Sequence, residues 1–171
     1  PLALNALLPE DLSVTKAIHV VDDFSARFNT LGKRYVYRVY SSPVRSPLTS
    51  RYAYYVPYEL DIKAMNEAAF HFVGEHDFEA FCAADGSQKT TVRRLFSVRV
   101  NKSKEDEHIY EIEVQGEAFL YNMVRIIAGT LLFVGCGKLT PNEIPEIIDS
   151  KDRRKAGKTL PAVGLTLEEV M

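Results

Sequence analysis

Arg125 constrains this chain more than any other residue, because it places a permanent cation in a run that is otherwise apolar. From residue 119 to residue 134 the order Phe-Leu-Tyr-Asn-Met-Val-Arg-Ile-Ile-Ala-Gly-Thr-Leu-Leu-Phe-Val is hydrophobic on nearly every face, the pattern of a buried helix. Gly135-Cys136-Gly137 supplies the expected C-terminal stop. A guanidinium keeps its proton at any accessible pH, so burying it without an anionic partner leaves a large desolvation cost uncompensated. Two readings stand side by side. Either Arg125 snorkels its head to water along the helix surface, or it faces a cleft in which it meets a functional carboxylate.

The chain of 171 residues with 46% hydrophobic content is enough for one domain with a substantial core. A net charge of −2 carries no global signature of nucleic acid, but the charges are segregated. Lys33, Arg34 and Arg38 form one basic cluster, Lys89, Arg93, Arg94 and Arg99 a second, and Lys151, Arg153, Arg154, Lys155 and Lys158 a third. Such clusters are either phosphate contacts or ordinary solvated faces. Two cysteines lack metal-type spacing, and no signal peptide or membrane-length apolar span is present, which leads to the expectation of a cytoplasmic protein without membrane contact. The opening Pro1-Leu2-Ala3-Leu4 reads as entry into the middle of a longer protein.

Periodicity lays out the elements. A short strand is expected over 17–21. Residues 33–40 alternate, with Tyr35, Tyr37 and Val39 on one face and Arg34, Val36, Arg38 and Tyr40 on the other. Asp61 caps a helix whose stripe is Ile62, Met65, Ala69, Phe72 and Val73, stopped by Gly74. A polar loop around Asp85-Gly86-Ser87 precedes strands over 91–100 and 108–115. The Arg125 helix follows, and then Thr140-Pro141-Asn142-Glu143, a capping box opening a helix to about Ser150. Pro145 is expected to distort the first turns of that helix. A basic loop over 151–158 leads to a last strand over 164–170. The order from Lys33 is β, α, β, β, α with an added helix, then β. That is the split β-α-β plan, an α+β ferredoxin-like antiparallel sheet with helices on one face and the other face open.

No Gly-rich phosphate loop, histidine pair or Cys-x-x-Cys suggests a nucleotide cofactor or a metal, and neither is expected. Tyr35, Tyr37 and Tyr40 suit a platform on which bases stack, or equally, for Tyr37 above all, a sheet-to-helix core.

Several blocks, in order along the chain, resemble the tRNA pseudouridine synthase A family. They are Asp23-Phe24-Ser25-Ala26-Arg27-Phe28 with Lys33-Arg34-Tyr35-Val36-Tyr37-Arg38; Gly74-Glu75-His76-Asp77-Phe78-Glu79-Ala80-Phe81; Phe119-Leu120-Tyr121-Asn122-Met123-Val124-Arg125; Lys151-Asp152-Arg153-Arg154 with Ala156-Gly157; and Gly164-Leu165. One departure matters. The family's catalytic aspartate belongs to a Gly-Arg-Thr-Asp motif upstream of a segment that Leu7-Leu8-Pro9 resembles, and these 171 residues contain no such motif.

The resemblance implies the C-terminal half of a pseudouridine synthase catalytic fold. Residues 1–25 would then be the tail of a preceding domain with its linker, and 26–171 the C-terminal α+β domain. It also implies an isomerase that converts uridine to pseudouridine at positions 38, 39 and 40 of the tRNA anticodon stem-loop, without metal or organic cofactor, as a homodimer. Arg125 would pair with the catalytic aspartate, Tyr35 would lie against the target uracil, and Leu165 would close the pocket. Arg27, Lys33, Arg34, Arg38, Lys151, Arg153, Arg154, Lys155 and Lys158 would contact RNA, chiefly through phosphates. Without its nucleophile the chain alone is expected to be inactive, its Arg125 guanidinium facing an open cleft. A non-catalytic RNA-binding remnant and a ferredoxin-like interaction domain are the alternatives.

Overall fold

The computed structural model describes residues 1–26, 29–84 and 89–171. Arg27 and the loop expected around Asp85-Gly86-Ser87 fall outside the described residues.

The alternating segment becomes β1 (Lys33–Ser41), the centre of the sheet. It runs antiparallel to β5 (Ile109–Gly116), with Tyr37 opposite Ile112. β5 is antiparallel to β4 (Val92–Lys102), and β4 to the short β3 (Gly74–Asp77). On its other side β1 is shared. β6 (Leu165–Val170) lies antiparallel along the half from Lys33 to Tyr37, and β2 (Tyr54–Val56) lies parallel along Val39 to Ser41. The order β6-β1-β5-β4, antiparallel throughout, is the split β-α-β sheet expected from the sequence. β2 and β3 were not expected, and β2 makes the sheet mixed rather than purely antiparallel. Strands of three and four residues are too short to show a period, so only their neighbours define them.

The expected strand over 17–21 does not form, and Ile18, Val20 and Val21 stand 68%, 50% and 70% exposed. β-branched residues favour strands only where a pleated surface half-buries them, and none of the described strands lies beside this run.

After the single-turn α1 (Leu2–Asn5), Asp61 caps α2 (Ile62–Phe70) as expected, its Oδ1 accepting from the Ala64 N–H at 3.0 Å. The central apolar helix, α3 (Met123–Gly135), begins four residues later than its hydrophobic run, because Asn122 sits in the left-handed region (φ 59) and cannot continue a helix. It closes on a Schellman motif. Gly137 (φ 73) donates to the Val134 carbonyl at 2.9 Å, and Lys138 to the Phe133 carbonyl at 2.8 Å. α4 (Glu143–Ser150) opens on half of the expected box: the Thr140 N–H donates to the Glu143 carboxylate at 2.7 Å, but the Thr140 hydroxyl donates to the same carboxylate at 2.8 Å instead of capping a helix N–H. Pro145 distorts nothing there: the Pro141 carbonyl it would have bonded accepts from Ile144 instead.

One core joins these parts. Tyr37 and Val39 of β1, Val98 and Val100 of β4, and Ile112 and Val114 of β5 pack against Met65, Ala68 and Ala69 of α2 and Ile126, Ile127 and Leu131 of α3. The opposite face of the sheet is not bare. Arg34 pairs with Glu113 (3.3 Å) and Glu169 (3.2 Å), and Arg38 with Glu111 (3.1 Å) and Glu168 (2.8 Å), the buried Val36 lying between them in the strand. Each such pair, partly exposed, is worth about 0–1 kcal/mol.

Candidate active site

A hollow of about 180 Å³ opens where β1, β6 and the start of α3 meet, lined by Tyr35, Phe119, Asn122, Arg125, Ala162 and Leu165 among others. The three residues singled out as catalytic, up to 130 positions apart, therefore share one pocket. A roomier hollow of about 690 Å³, between residues 48–53 and the turn after β4, brings none of the three together.

Register explains the convergence. Tyr35 and Tyr37 face the helices from β1, with Leu167 opposite Tyr35 and Leu165 opposite Tyr37 on β6, so Tyr35 and Leu165 are diagonal neighbours on one face. Phe119 meets the Tyr35 ring edge-on at 5.1 Å and holds its plane. Burial pushes the Tyr35 phenol above its ordinary value, so it stays protonated at neutral pH. Tyr37 is fully buried, and its hydroxyl donates to the Pro161 carbonyl at 2.7 Å. Tyr40 points to the other face, against Tyr55 and His108. The three tyrosines thus form no common stacking platform: Tyr37 is core, and Tyr35 alone reaches the pocket.

Arg125 is half-buried. Its Nε donates to the Leu160 carbonyl at 2.5 Å and its Nη1 to Asn122 Oδ1 at 2.7 Å. No ion pair reaches it among the described residues, and Glu111 and Glu113 are taken by Arg38 and Arg34. Among the described residues the guanidinium is therefore held by two neutral acceptors and meets no counter-charge.

A crossing of two backbones builds this arrangement. Residues 157–160 lie across α3 at Gly129, where a Cβ would collide with the Lys158 carbonyl, while a Cβ on Gly157 would collide with the backbone of Gly129 and Thr130. Gly157 donates to Thr130 Oγ1 at 2.8 Å, and Leu160 donates to the Arg125 carbonyl at 3.3 Å. That contact carries the Leu160 oxygen to Arg125. Sequence reasoning did not find this clasp, although a glycine inside a helix often marks a close backbone approach.

The basic residues behave differently from one another. Lys33 is half-buried, and Arg34 and Arg38 are engaged in the ion pairs described. Lys151 pairs with Asp77 at 2.6 Å, and Arg154 with Asp152 at 2.8 Å. Arg153 turns inward, donating to the Gly157 carbonyl at 2.8 Å and to Thr159 Oγ1 at 2.9 Å. Lys158 donates to the Tyr54 hydroxyl at 2.7 Å, and Lys155 is exposed. Among the described residues no cluster of His, Cys, Asp and Glu could hold a metal, and no helix is long and apolar enough to cross a membrane.

Fold and pocket together define an α+β domain of the split β-α-β type, with a cationic hollow on the helix side of its sheet. The family model for tRNA pseudouridine synthase matches residues 68–171. The chain is 50% identical over all 171 residues to a protein named tRNA pseudouridine synthase A from Caldicellulosiruptor bescii, spanning 69% of that protein's length. It is 45% identical, over the same share, to that of Caldicellulosiruptor saccharolyticus. It is also 45% identical over 168 residues to that of Acetivibrio thermocellus, covering 98% of this chain and 68% of the relative. The chain belongs to the tRNA pseudouridine synthase family.

Proposed function

We propose that this chain is the C-terminal part of a tRNA pseudouridine synthase A that isomerises uridine to pseudouridine at positions 38, 39 and 40 of the anticodon stem-loop. The observation that carries the reading is the pocket, in which Tyr35 and Leu165 flank the Arg125 guanidinium, which meets no counter-charge among the described residues.

In this reading the missing counter-charge is the aspartate of a Gly-Arg-Thr-Asp motif outside these 171 residues, and the chain without it is inactive. Arg125 holds that carboxylate ionised and oriented for attack. The target uridine leaves its stack to enter the pocket. The bond between N1 and the ribose C1′ breaks, the base turns, and C5 bonds to C1′; the C5 proton departs and N1 ends protonated. Tyr35 lies against the ring, its hydroxyl relaying the C5 proton to bulk water by releasing its own as it takes that one up, and Leu165 shields the glycosyl bond from water. The chemistry calls for no metal or organic cofactor. Among the basic residues, Lys33, Lys151, Arg154, Lys155 and Lys158 are proposed to contact phosphates, with Arg34, Arg38 and Arg153 tied into the protein; Arg27 is proposed to join them from its place beside β1 in the sequence. The same reading has the enzyme as a cytoplasmic homodimer; sedimentation of the full-length protein with and without tRNA tests the dimer.

Because C5 loses its hydrogen, tRNA carrying tritium at uracil C5 reports turnover directly. The full-length enzyme is expected to release tritium from positions 38 to 40, and Arg125→Met to abolish release. Release from other positions only, or undiminished release by Arg125→Met, overturns the reading.

A further inference from the structure

We propose that Asn122 is a positioning residue, which orients the Arg125 guanidinium while leaving its charge unneutralised. The inference rests on the reading of Arg125 as the nucleophile's counter-charge and assigns a role to a residue that the reading leaves idle.

Asn122 is one of two non-glycine residues with positive φ among those described, at φ 59 and ψ 9. That conformation is uncommon outside glycine, although asparagine tolerates it. At the head of a helix an asparagine side chain ordinarily accepts from the helix's own first-turn N–H groups. Here it makes no cap bond and accepts from Arg125 Nη1 at 2.7 Å. The left-handed turn has diverted a capping side chain onto the arginine.

The opposite edge of the guanidinium is held by the Leu160 carbonyl at 2.5 Å, and Leu160 returns a bond from its N–H to the Arg125 carbonyl at 3.3 Å. A guanidinium is a rigid planar fork, so bonds at Nε and Nη1 fix its plane. Nη2 has no acceptor among the described residues, nor is it sealed from solvent as a buried orphan. It is the edge left to face a carboxylate. Both holders are neutral, and that is the point of the arrangement. An aspartate at 122 would accept the same bond in the same backbone conformation, but it would pair with the charge that the nucleophile needs.

Two substitutions in the full-length enzyme separate positioning from mere turn-making, with Arg125→Met as a control. Asn122→Gly keeps the left-handed turn and removes the acceptor. It should lower kcat by about tenfold, the loss expected for one hydrogen bond to a charged group, with KM for tRNA within twofold of the parent. Asn122→Asp should lower kcat further, on the order of a hundredfold, with a Tm equal to or above the parent's because a new ion pair forms. If Asn122 only shapes the turn, both variants keep that turn and the parent kcat, and that result overturns the proposal. Parent kcat in Asn122→Gly, or an effect confined to KM, overturns it as well. Should Arg125→Met remain active, the reading of Arg125 fails. Should that variant be inactive while both Asn122 variants match the parent, the role of Asn122 fails alone.

Discussion

Gly129→Ala is expected to destabilise the domain even though alanine is the better helix former. Gly129 lies inside α3, where replacing glycine with alanine alone should gain about 1 kcal/mol. The added methyl group, however, would collide with the Lys158 carbonyl oxygen, far inside the 3.0 Å that real Cβ contacts respect, and would stand 3.4 Å from Leu160 Cγ. The obstacle is backbone, which cannot swing aside as a long side chain can. Relief requires residues 157–160 to lift, stretching the bond from Gly157 to Thr130 Oγ1 (2.8 Å) and that from Leu160 to the Arg125 carbonyl (3.3 Å). Overpacking of this kind costs about 3 kcal/mol at the upper end of its usual range. Set against the propensity gain, a net loss of about 2 kcal/mol remains, or roughly 4–8 °C in Tm for a domain of this size. Thermal and urea unfolding of this chain, followed by circular dichroism, measure it. Turnover in the full-length enzyme should fall as well, because the Leu160 carbonyl is an acceptor for Arg125. A Tm at or above the parent's would show that propensity prevails and that residues 157–160 are not pressed onto α3.

Tyr35→Phe should leave tRNA binding intact and lower turnover strongly. Tyr37→Phe should instead cost about 0.5–1.5 kcal/mol of stability by removing the hydrogen bond to the Pro161 carbonyl, with a smaller effect on turnover, so equal small effects at both sites would return Tyr35 to the core. Replacing Lys151, Arg154, Lys155 and Lys158 with alanine should weaken binding to all tRNAs alike and flatten the dependence of log Kd on log salt; an unchanged slope makes them a solvated face. Asp77 is held below its ordinary 3.8, first by the hydrogen bond from Lys151, so the unfolded chain binds the proton more readily. Its stabilisation is complete above that value and is lost as pH falls through the lower, folded-state value, which Asp77→Asn should show as a flatter acid limb in urea midpoints. Arg125→Met in this chain should cost about 1 kcal/mol, because the Leu160 carbonyl loses its donor.

Local rules carried much of the way from residues to fold. The caps at Asp61 and Thr140, the stop after Gly135, the alternation in β1 and the order of the split β-α-β plan were all legible, because each depends on residues within a turn or two of one another. The interest of Arg125 was legible for the same reason, as a charge among apolar neighbours at helical spacing. What the tertiary structure alone decided is who meets whom across the chain. Ile18, Val20 and Val21 have strand-forming side chains yet form no strand, whereas Tyr54–Val56 becomes one because β1 lies beside it. Arg34 and Arg38 looked free to meet phosphate until strands from distant parts of the chain set four glutamates beside them. Arg125 takes one acceptor three residues away, which the left-handed turn at the head of its helix supplies, and another thirty-five residues away, which only the Gly129–Gly157 crossing delivers. Periodicity and capping are written in neighbouring residues; a pairing between distant segments is set by the packing that brings them together, and no local pattern records it.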